Sequence, residues 1–427
     1  MSYRNRELAN LVVVAVITGL GFASVYIARQ DVVSAGSLSY ALFFFAIFLA
    51  AHVITRVTVP QADPYLLPMA ALLAAIGVTE IYRLDPDNAF RQGLWIVVGV
   101  AAFGATLLLL RHDYRRLESY KYLFGLTAIC LLVLPALPLI GQTVNGARLW
   151  VNIGGIQFQP GELAKIMLIV FLAGYLREKR EVLAQGRLKD FGPLLAIWGA
   201  AMLVLVVTND LGSGLLYFGI FLAVLYVATA RAWFAAAGLA LFVAGSAVVY
   251  TRVGRVEERV SVWLDPWSDS HDSGYQIVQS LFSIGNGGFA GTGLGNGVFA
   301  TTNGRDLIPF LPTDFIYSAL AQELGLIGAA ALMLVYMLIC LRGFRIAMLA
   351  QDGFSKLLAV GLTFGFALQT FIIVGGVLRL IPLTGITLPF VSYGGSSVVA
   401  NFILLAGLLL VSHRANSVAQ ISMEGRP

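Results

Sequence analysis

The sequence predicts an all-α polytopic membrane protein of about 12 transmembrane helices with one long extracytoplasmic loop, and three observations carry that prediction. Of 427 residues, 58% are apolar and only 12% charged, whereas a soluble domain is roughly half apolar and a quarter charged. The apolar residues gather in runs of about the length that crosses a hydrocarbon core of roughly 30 Å. The basic residues, which leave a net charge of +5, concentrate in alternate short loops between those runs. That pattern fits membrane topology and gives no reason to expect nucleic acid as a partner.

The runs centre on residues 8–28, 38–59, 64–82, 93–110, 122–140, 160–177, 192–208, 212–230, 233–251, 315–341, 357–381 and 387–412. Arg4 and Arg6 precede the first, as in a signal peptide, but the run is too long and no small-residue cleavage site follows, so it reads as a retained helix. Arg111, Arg115, Arg116, Lys121, Arg177, Lys179, Arg180, Arg342 and Arg345 then fall on the cytoplasmic side together with both termini. Residues 1–60 hold two N-terminal helices, 61–415 the main body with a large outer loop over 252–313, and 416–427 a short cytoplasmic tail. Cys130 and Cys340 each lie inside an apolar run and make no disulfide framework. His52, His112, His271 and His413 stand singly and suggest no chemistry.

Several outer segments carry more than a connection needs. Asn145-Gly146-Ala147-Arg148-Leu149-Trp150 precedes Pro160-Gly161-Glu162-Leu163-Ala164-Lys165. Pro160 can start a helix that puts Glu162 and Lys165 on one face. Charges beside a hydrocarbon span are costly unless paired or facing a wet cavity, so the two form either a structural ion pair or a site. Arg148 beside Trp150 suits an interfacial anchor in membrane lipid or a cation facing an anionic headgroup. Thr208-Asn209-Asp210-Leu211-Gly212 suits a tight turn with helix capping, or a substrate contact.

The loop of about 60 residues up to Thr313 is long enough to be functional. Within it Tyr275, Ile277, Val278, Leu281, Phe282 and Ile284 recur at helical spacing, which predicts a short helix on the membrane surface. The glycine-rich stretch 285–297 could bring backbone N–H groups to a phosphate or be a flexible re-entrant loop. Asp265, Asp269, His271 and Asp272 suit a solvated loop better than a cation site.

Next comes Thr313-Asp314-Phe315, at the border of a polar loop and an apolar run, with Glu323 about two to three turns deeper. Asp314 is either a helix N-cap or a working carboxylate. Finally Arg379 precedes Pro382 to Ser397, where prolines, Gly394-Gly395, Ser396 and Ser397 break the helix. Broken backbone at membrane depth survives only where it is buried in protein or lines a cavity.

Together Asn145 to Arg148 with Trp150, Pro160-x-Glu162-x-x-Lys165, Asp210-Leu211-Gly212, Gly291-Thr292-Gly293-Leu294-Gly295, Thr313-Asp314-Phe315-Ile316 with Glu323, and Pro389 to Ser397 resemble the shape, elongation, division and sporulation (SEDS) family. The likeness runs in order over roughly residues 60–415. It implies a ten-helix core with two extra N-terminal helices, and a glycosyltransferase polymerising lipid II at the outer face of the cytoplasmic membrane. It also implies a class B penicillin-binding protein as partner. Pro312, Gln322, Leu149 and Asn209 stand where the family usually has His, an acidic residue, Arg and Pro. The stretch 380–392 and the short tail resemble the RodA branch more than the FtsW branch.

The implied chemistry needs one general base, Asp314, and positive charge for a leaving pyrophosphate, from Arg148, Lys165, Arg379 or a divalent cation such as Mg or Mn. Asp210, Ser396 and Ser397 join them as substrate contacts. Glu162 then holds Lys165, and Glu323, Trp150, Gly394 and Gly395 support the site. The rival expectations are a lipid-linked precursor flippase, which needs a polar path through mid-membrane to the cytoplasmic side, and a scaffold without activity.

Overall fold

The computed structural model describes residues 2–30, 35–138, 140–144, 147–184, 192–301 and 306–424. Asn145 and Gly146 lie outside them. The helices in chain order are α1 (Tyr3–Gln30), α2 (Ala35–Thr58), α3 (Leu66–Leu84), α4 (Pro86–Leu110), the one-turn α5 (Arg116–Ser119), α6 (Lys121–Val133), α7 (Pro160–Ala184) and α8 (Gly192–Val207). They continue with α9 (Leu211–Thr229), α10 (Ala232–Arg252), α11 (Gly254–Leu264), α12 (Tyr275–Gly287), α13 (Ile316–Leu349), α14 (Gly353–Val377) and α15 (Gly395–Glu424). Among the described residues nine are long and apolar enough to cross a membrane, and α6 and α8 are shorter apolar helices. With α7, whose ends carry charge, each predicted run has its helix.

Where bounds differ, the cause is local. α4 begins at Pro86, earlier than predicted, because Asp85 accepts hydrogen bonds from the backbone N–H groups of Asp87 and Asn88 and Pro86 takes the first helical position. α6 stops at Val133, short of residue 140, before a turn through Pro135. The last predicted run is helical only from Gly395, and α15 then continues to Glu424 through residues expected to be a tail.

Between α6 and α7 the chain makes a three-stranded antiparallel sheet that the apolar pattern did not announce. β1 (Gly141–Val144), β2 (Ala147–Ile153) and β3 (Ile156–Phe158) lie in that order, with Val151 opposite both Gly141 and Phe158. Gly154 and Gly155 take positive φ at the second turn, as a two-residue hairpin requires. In the long loop α12 forms where predicted. It turns Ile277, Val278, Ser280 and Ser283 inward and joins Ser280 to Ser318 of α13 through a 2.6 Å hydroxyl contact. It is therefore a packed part of the body rather than a helix resting only on a membrane surface.

Two irregular passages shape the end of the bundle at which α13 begins. α13 is kinked at Gly325, φ +66, where the glycine-rich stretch crosses it. A Cβ on Gly325 would lie 2.2 Å from the Gly291 nitrogen. The passage from Leu378 to Gly394 runs without helix between α14 and α15. Its backbone presses on α3 so closely that a Cβ on Gly77 would lie 2.4 Å from the Val391 carbonyl oxygen.

Because that neighbour is backbone, Gly77→Ala should lower the melting temperature in detergent and cost about 1–3 kcal/mol. Gly245→Ala on α10, where an added Cβ meets nothing within 4 Å, should leave melting unchanged or raise it. Equal melting of the two variants would show that the Leu378–Gly394 passage does not rest on α3.

Candidate active site

The turn before α13 places Asp314. Phe310, φ +60, bends the chain so that the backbone N–H groups of Thr313 and Asp314 donate to its carbonyl at 3.1 and 3.0 Å. Helix α13 starts two residues later, at Ile316, with Phe315 as its N-cap and no side-chain cap at all. The capping reading of Asp314 therefore falls, and its carboxylate is left without that structural task. Its Oδ2 lies 3.6 Å from the position a Cβ on Gly385 would take, and Gly385 has φ +72, so only glycine suits that approach. Burial pushes the Asp314 carboxyl up to about 6, against the pull of the Thr313 hydroxyl and the Arg259 charge.

The passage beside it is tied from every side. Ser392 Oγ donates to the Thr313 carbonyl at 2.6 Å, and the Tyr393 N–H to the Pro312 carbonyl at 2.9 Å. Tyr336 donates to the Pro389 carbonyl. Gln92 of α4 donates to the Ser392 carbonyl and accepts from the Gly394 N–H, each at 3.1 Å. Non-helical backbone at this depth must find such partners. Gly394 lies against Thr387, and a Cβ on Gly395 would lie 2.2 Å from the Trp95 ring. Both glycines thus allow close packing.

On the neighbouring face, Pro160 opens α7 and the predicted pair forms. Lys165 Nζ donates to Glu162 at 2.7 Å and to Gln369 of α14 at 2.6 Å. Gln369 donates in turn to the Thr387 carbonyl at 3.0 Å. Thr387 donates to Ser397 at 2.7 Å, and Ser396 accepts the Gln159 N–H at 2.8 Å. Ser396 and Ser397 therefore stitch α15 to the passage and to α7. Asp210 caps α9 by accepting the Ser213 N–H at 3.0 Å. Burial pushes its carboxyl up while the Ser213 hydrogen bonds pull it down. Gly212 brings that turn onto Thr384 and Ile386, so Asp210 and Asp314 flank the same passage.

Glu323 is fully buried. Its two oxygens accept the N–H groups of Gly295 and Gly297 at 2.8 and 3.0 Å, and Arg83 of α3 pairs with it at 2.8 Å. The glycine-rich stretch does present amides to an anion, but the anion is a carboxylate of the chain itself. Arg148 and Arg379 are placed elsewhere. Arg148 donates to the Leu137 carbonyl at 2.9 Å, and its backbone N–H to the Thr208 carbonyl at 3.1 Å. Trp150, its neighbour in β2, pairs with Gln142. Arg379, φ +58, donates to the Trp263 carbonyl at 2.7 Å and to that of Leu264. Asp265 and Asp269 accept hydrogen bonds from Trp267 and Ser273 of their own loop. Gln92, Gln369, Arg83 and Arg259 belong to this assembly without having stood out in the sequence, where each lies in or beside an apolar or loop run with no motif around it.

The cell cycle protein model of FtsW, RodA and SpoVE matches residues 65–417. The chain belongs to this family. A peptidoglycan glycosyltransferase RodA of Mycobacterium tuberculosis is 43% identical over 433 residues, covering 96% of this chain and 91% of that one. Among solved structures, one described as the structural coordination of polymerization and crosslinking by a peptidoglycan synthase complex matches with a TM-score of 0.68 and 27% identity. It covers 83% of this chain and 98% of that one. The RodA of Thermus thermophilus matches with a TM-score of 0.60 and 26% identity, covering 83% and 97%.

Helices α1 and α2 lie outside the family match. Arg4 ties α1 to the turn that leads into the matched region, pairing with Glu7 and donating to the Ala62 carbonyl. Glu7 also reaches His52 at 2.7 Å. Across the adjoining turn Asp63 pairs with Arg342 at 3.1 Å.

Removing one partner of the buried Arg83–Glu323 pair leaves a charge without its counter-ion. Arg83→Met should lower stability by about 3–5 kcal/mol, read as the melting temperature in detergent. Removing Glu323 as well, in Arg83→Met/Glu323→Gln, should cost less than the two single changes added together. Additive losses would mean the two side chains do not act as a pair.

Proposed function

We propose that this chain polymerises lipid II into glycan strands at the outer face of the cytoplasmic membrane, with Asp314 as general base, and that it works beside a class B penicillin-binding protein that crosslinks the product. The observation that carries the reading is the state of Asp314. It is a carboxylate that caps no helix, half-buried at the outer end of α13, beside backbone held in place from α3, α4, α7, α14 and α15. The basic residues around the opposite ends of the spans support an outer position for it and cytoplasmic termini. The family relatives named as RodA glycosyltransferases, and the solved peptidoglycan synthase complex, support both enzyme and partner.

The transfer inverts the sugar. The acceptor hydroxyl oxygen forms a bond to the anomeric carbon of an α-linked pyrophosphate donor, the carbon–oxygen bond to phosphate breaks, and undecaprenyl pyrophosphate leaves. Asp314 takes the hydroxyl proton. A carboxyl held near 6 is a better base than an ordinary aspartate and is still ionised at neutral pH. The lipid tail fixes the height of the reacting atoms, since it stays in hydrocarbon while its sugars reach water. Among the described residues no three His, Cys, Asp or Glu side chains gather as a metal site.

Purified chain with a candidate transpeptidase partner should polymerise lipid II in detergent, and Asp314→Asn should lose that activity by at least about 10³-fold while melting normally. Equal polymer from both would remove Asp314 from the chemistry. Movement of lipid II across vesicle bilayers with no polymer would favour transport instead. The rate should climb as pH rises through about 6, where Asp314 loses its proton, and level off above it. A rate already constant from pH 5 to 8 would contradict the base assignment.

A further inference from the structure

The three cations named from the sequence for the leaving pyrophosphate are all committed elsewhere. Lys165 is held between Glu162 and Gln369, Arg148 by the Leu137 carbonyl, and Arg379 by the carbonyls that end α11. Each already spends donors on groups of the chain itself. A different cation faces Asp314. Arg259 lies on α11 in the outer loop, partly buried, and its hydrogen bond among the described residues is a long one of 3.4 Å to the Thr384 carbonyl.

No carboxylate lies within ion-pairing distance of it among the described residues. Thr384 and Gly385 are consecutive, so one peptide unit separates the group that meets Arg259 from the group that meets Asp314. Thr384 also carries the contact with Gly212 next to Asp210. The charges of both aspartates are felt at Arg259, as is that of Arg255 one turn earlier on α11.

The orientation of α11 is fixed by the very residue the sequence put forward. Trp263 Nε1 donates to the Arg379 carbonyl at 3.2 Å, while the Arg379 guanidinium returns hydrogen bonds to Trp263 and Leu264. Arg379 thereby satisfies the C-terminal carbonyls of α11 and holds that helix across the Leu378–Gly394 passage.

We infer that Arg259, rather than Arg148, Lys165 or Arg379, is the side chain that binds the pyrophosphate of the lipid-linked donor, and that Arg379 positions it through α11. This rests on the glycosyltransferase reading. A guanidinium offers paired N–H donors that match phosphate oxygens. From beside Asp314 it would take up charge on the leaving oxygen while the carboxylate takes the proton from the acceptor. Its arm sits on a loop helix outside the spans, at the height where a lipid-borne pyrophosphate emerges.

The test uses the full-length chain with Asp314→Asn, so that nothing turns over, and measures binding of undecaprenyl pyrophosphate and of undecaprenol in detergent. Adding Arg259→Ala should weaken undecaprenyl pyrophosphate at least about 10-fold, as loss of a charge-assisted contact does, and leave undecaprenol unchanged. Arg259→Lys should recover part of the loss. The same affinity for both lipids as the parent would overturn the inference, and so would equal weakening of both, which marks a merely structural arginine. If the parent itself binds no undecaprenyl pyrophosphate and the wild type makes no polymer, the glycosyltransferase reading fails rather than this assignment.

Discussion

The end of this protein that carries Asp314 depends on a carboxylate buried where water cannot solvate it. Glu323 is stable there only because two glycine amides and the Arg83 guanidinium surround it. That arrangement joins α3, α13 and the loop after α12 at one point. It explains why α13 breaks at Gly325, since the loop must pass within backbone contact of the helix for its amides to reach the carboxylate. It also fixes the first turns of α13, which follow directly on the turn that carries Asp314. A residue nine places away in sequence thus governs where the candidate base stands, without touching substrate.

The Leu378–Gly394 passage obeys the same rule by other means. Its carbonyls and amides have lost helical partners, and side chains from Gln92, Gln369, Tyr336 and Ser392 replace them. Lys165 enters this network through Gln369, so the buried ion pair with Glu162 becomes part of the support for the passage. The pair is therefore best understood as the end of a chain of hydrogen bonds that stops at the backbone beside Asp314. If Asp314 is the base, as proposed, rigid backbone here has a chemical use, because a base is effective only when the reacting groups are held in place around it.

The spans, the start of α7 at Pro160 and the pairing of Glu162 with Lys165 were legible in the sequence, because hydropathy and i,i+3 spacing are local properties. The sheet too has a local signal, although no apolar run marks it: Gly154-Gly155 between Ile153 and Ile156 is a hairpin turn flanked by β-branched residues. The partner of the glycine stretch was not legible by any local rule. Its amides await an anion, and nothing in residues 285–297 says that Glu323 will fill the place. Arg259 was invisible for a similar reason. It is one arginine among several in a charged loop helix, and only the crossing of that helix with residues 379–385 brings it to Asp314.

The acidic residues around the passage can be sorted by what the fold already asks of them. Glu162 accepts from Lys165, Asp210 caps α9, and Glu323 holds the glycine loop. Glu80 lies fully buried on α3 beside Glu323, out of reach of a sugar carried in water. A carboxylate whose lone pairs hold the structure together cannot also take a proton from substrate without loosening what it holds. Asp314 escapes that conflict: burial raises its basicity, no helix terminus or ion pair claims it, and glycine at 385 leaves room at its face. On the proposed reading, the chemistry falls to the one of these carboxylates that the fold positions without using.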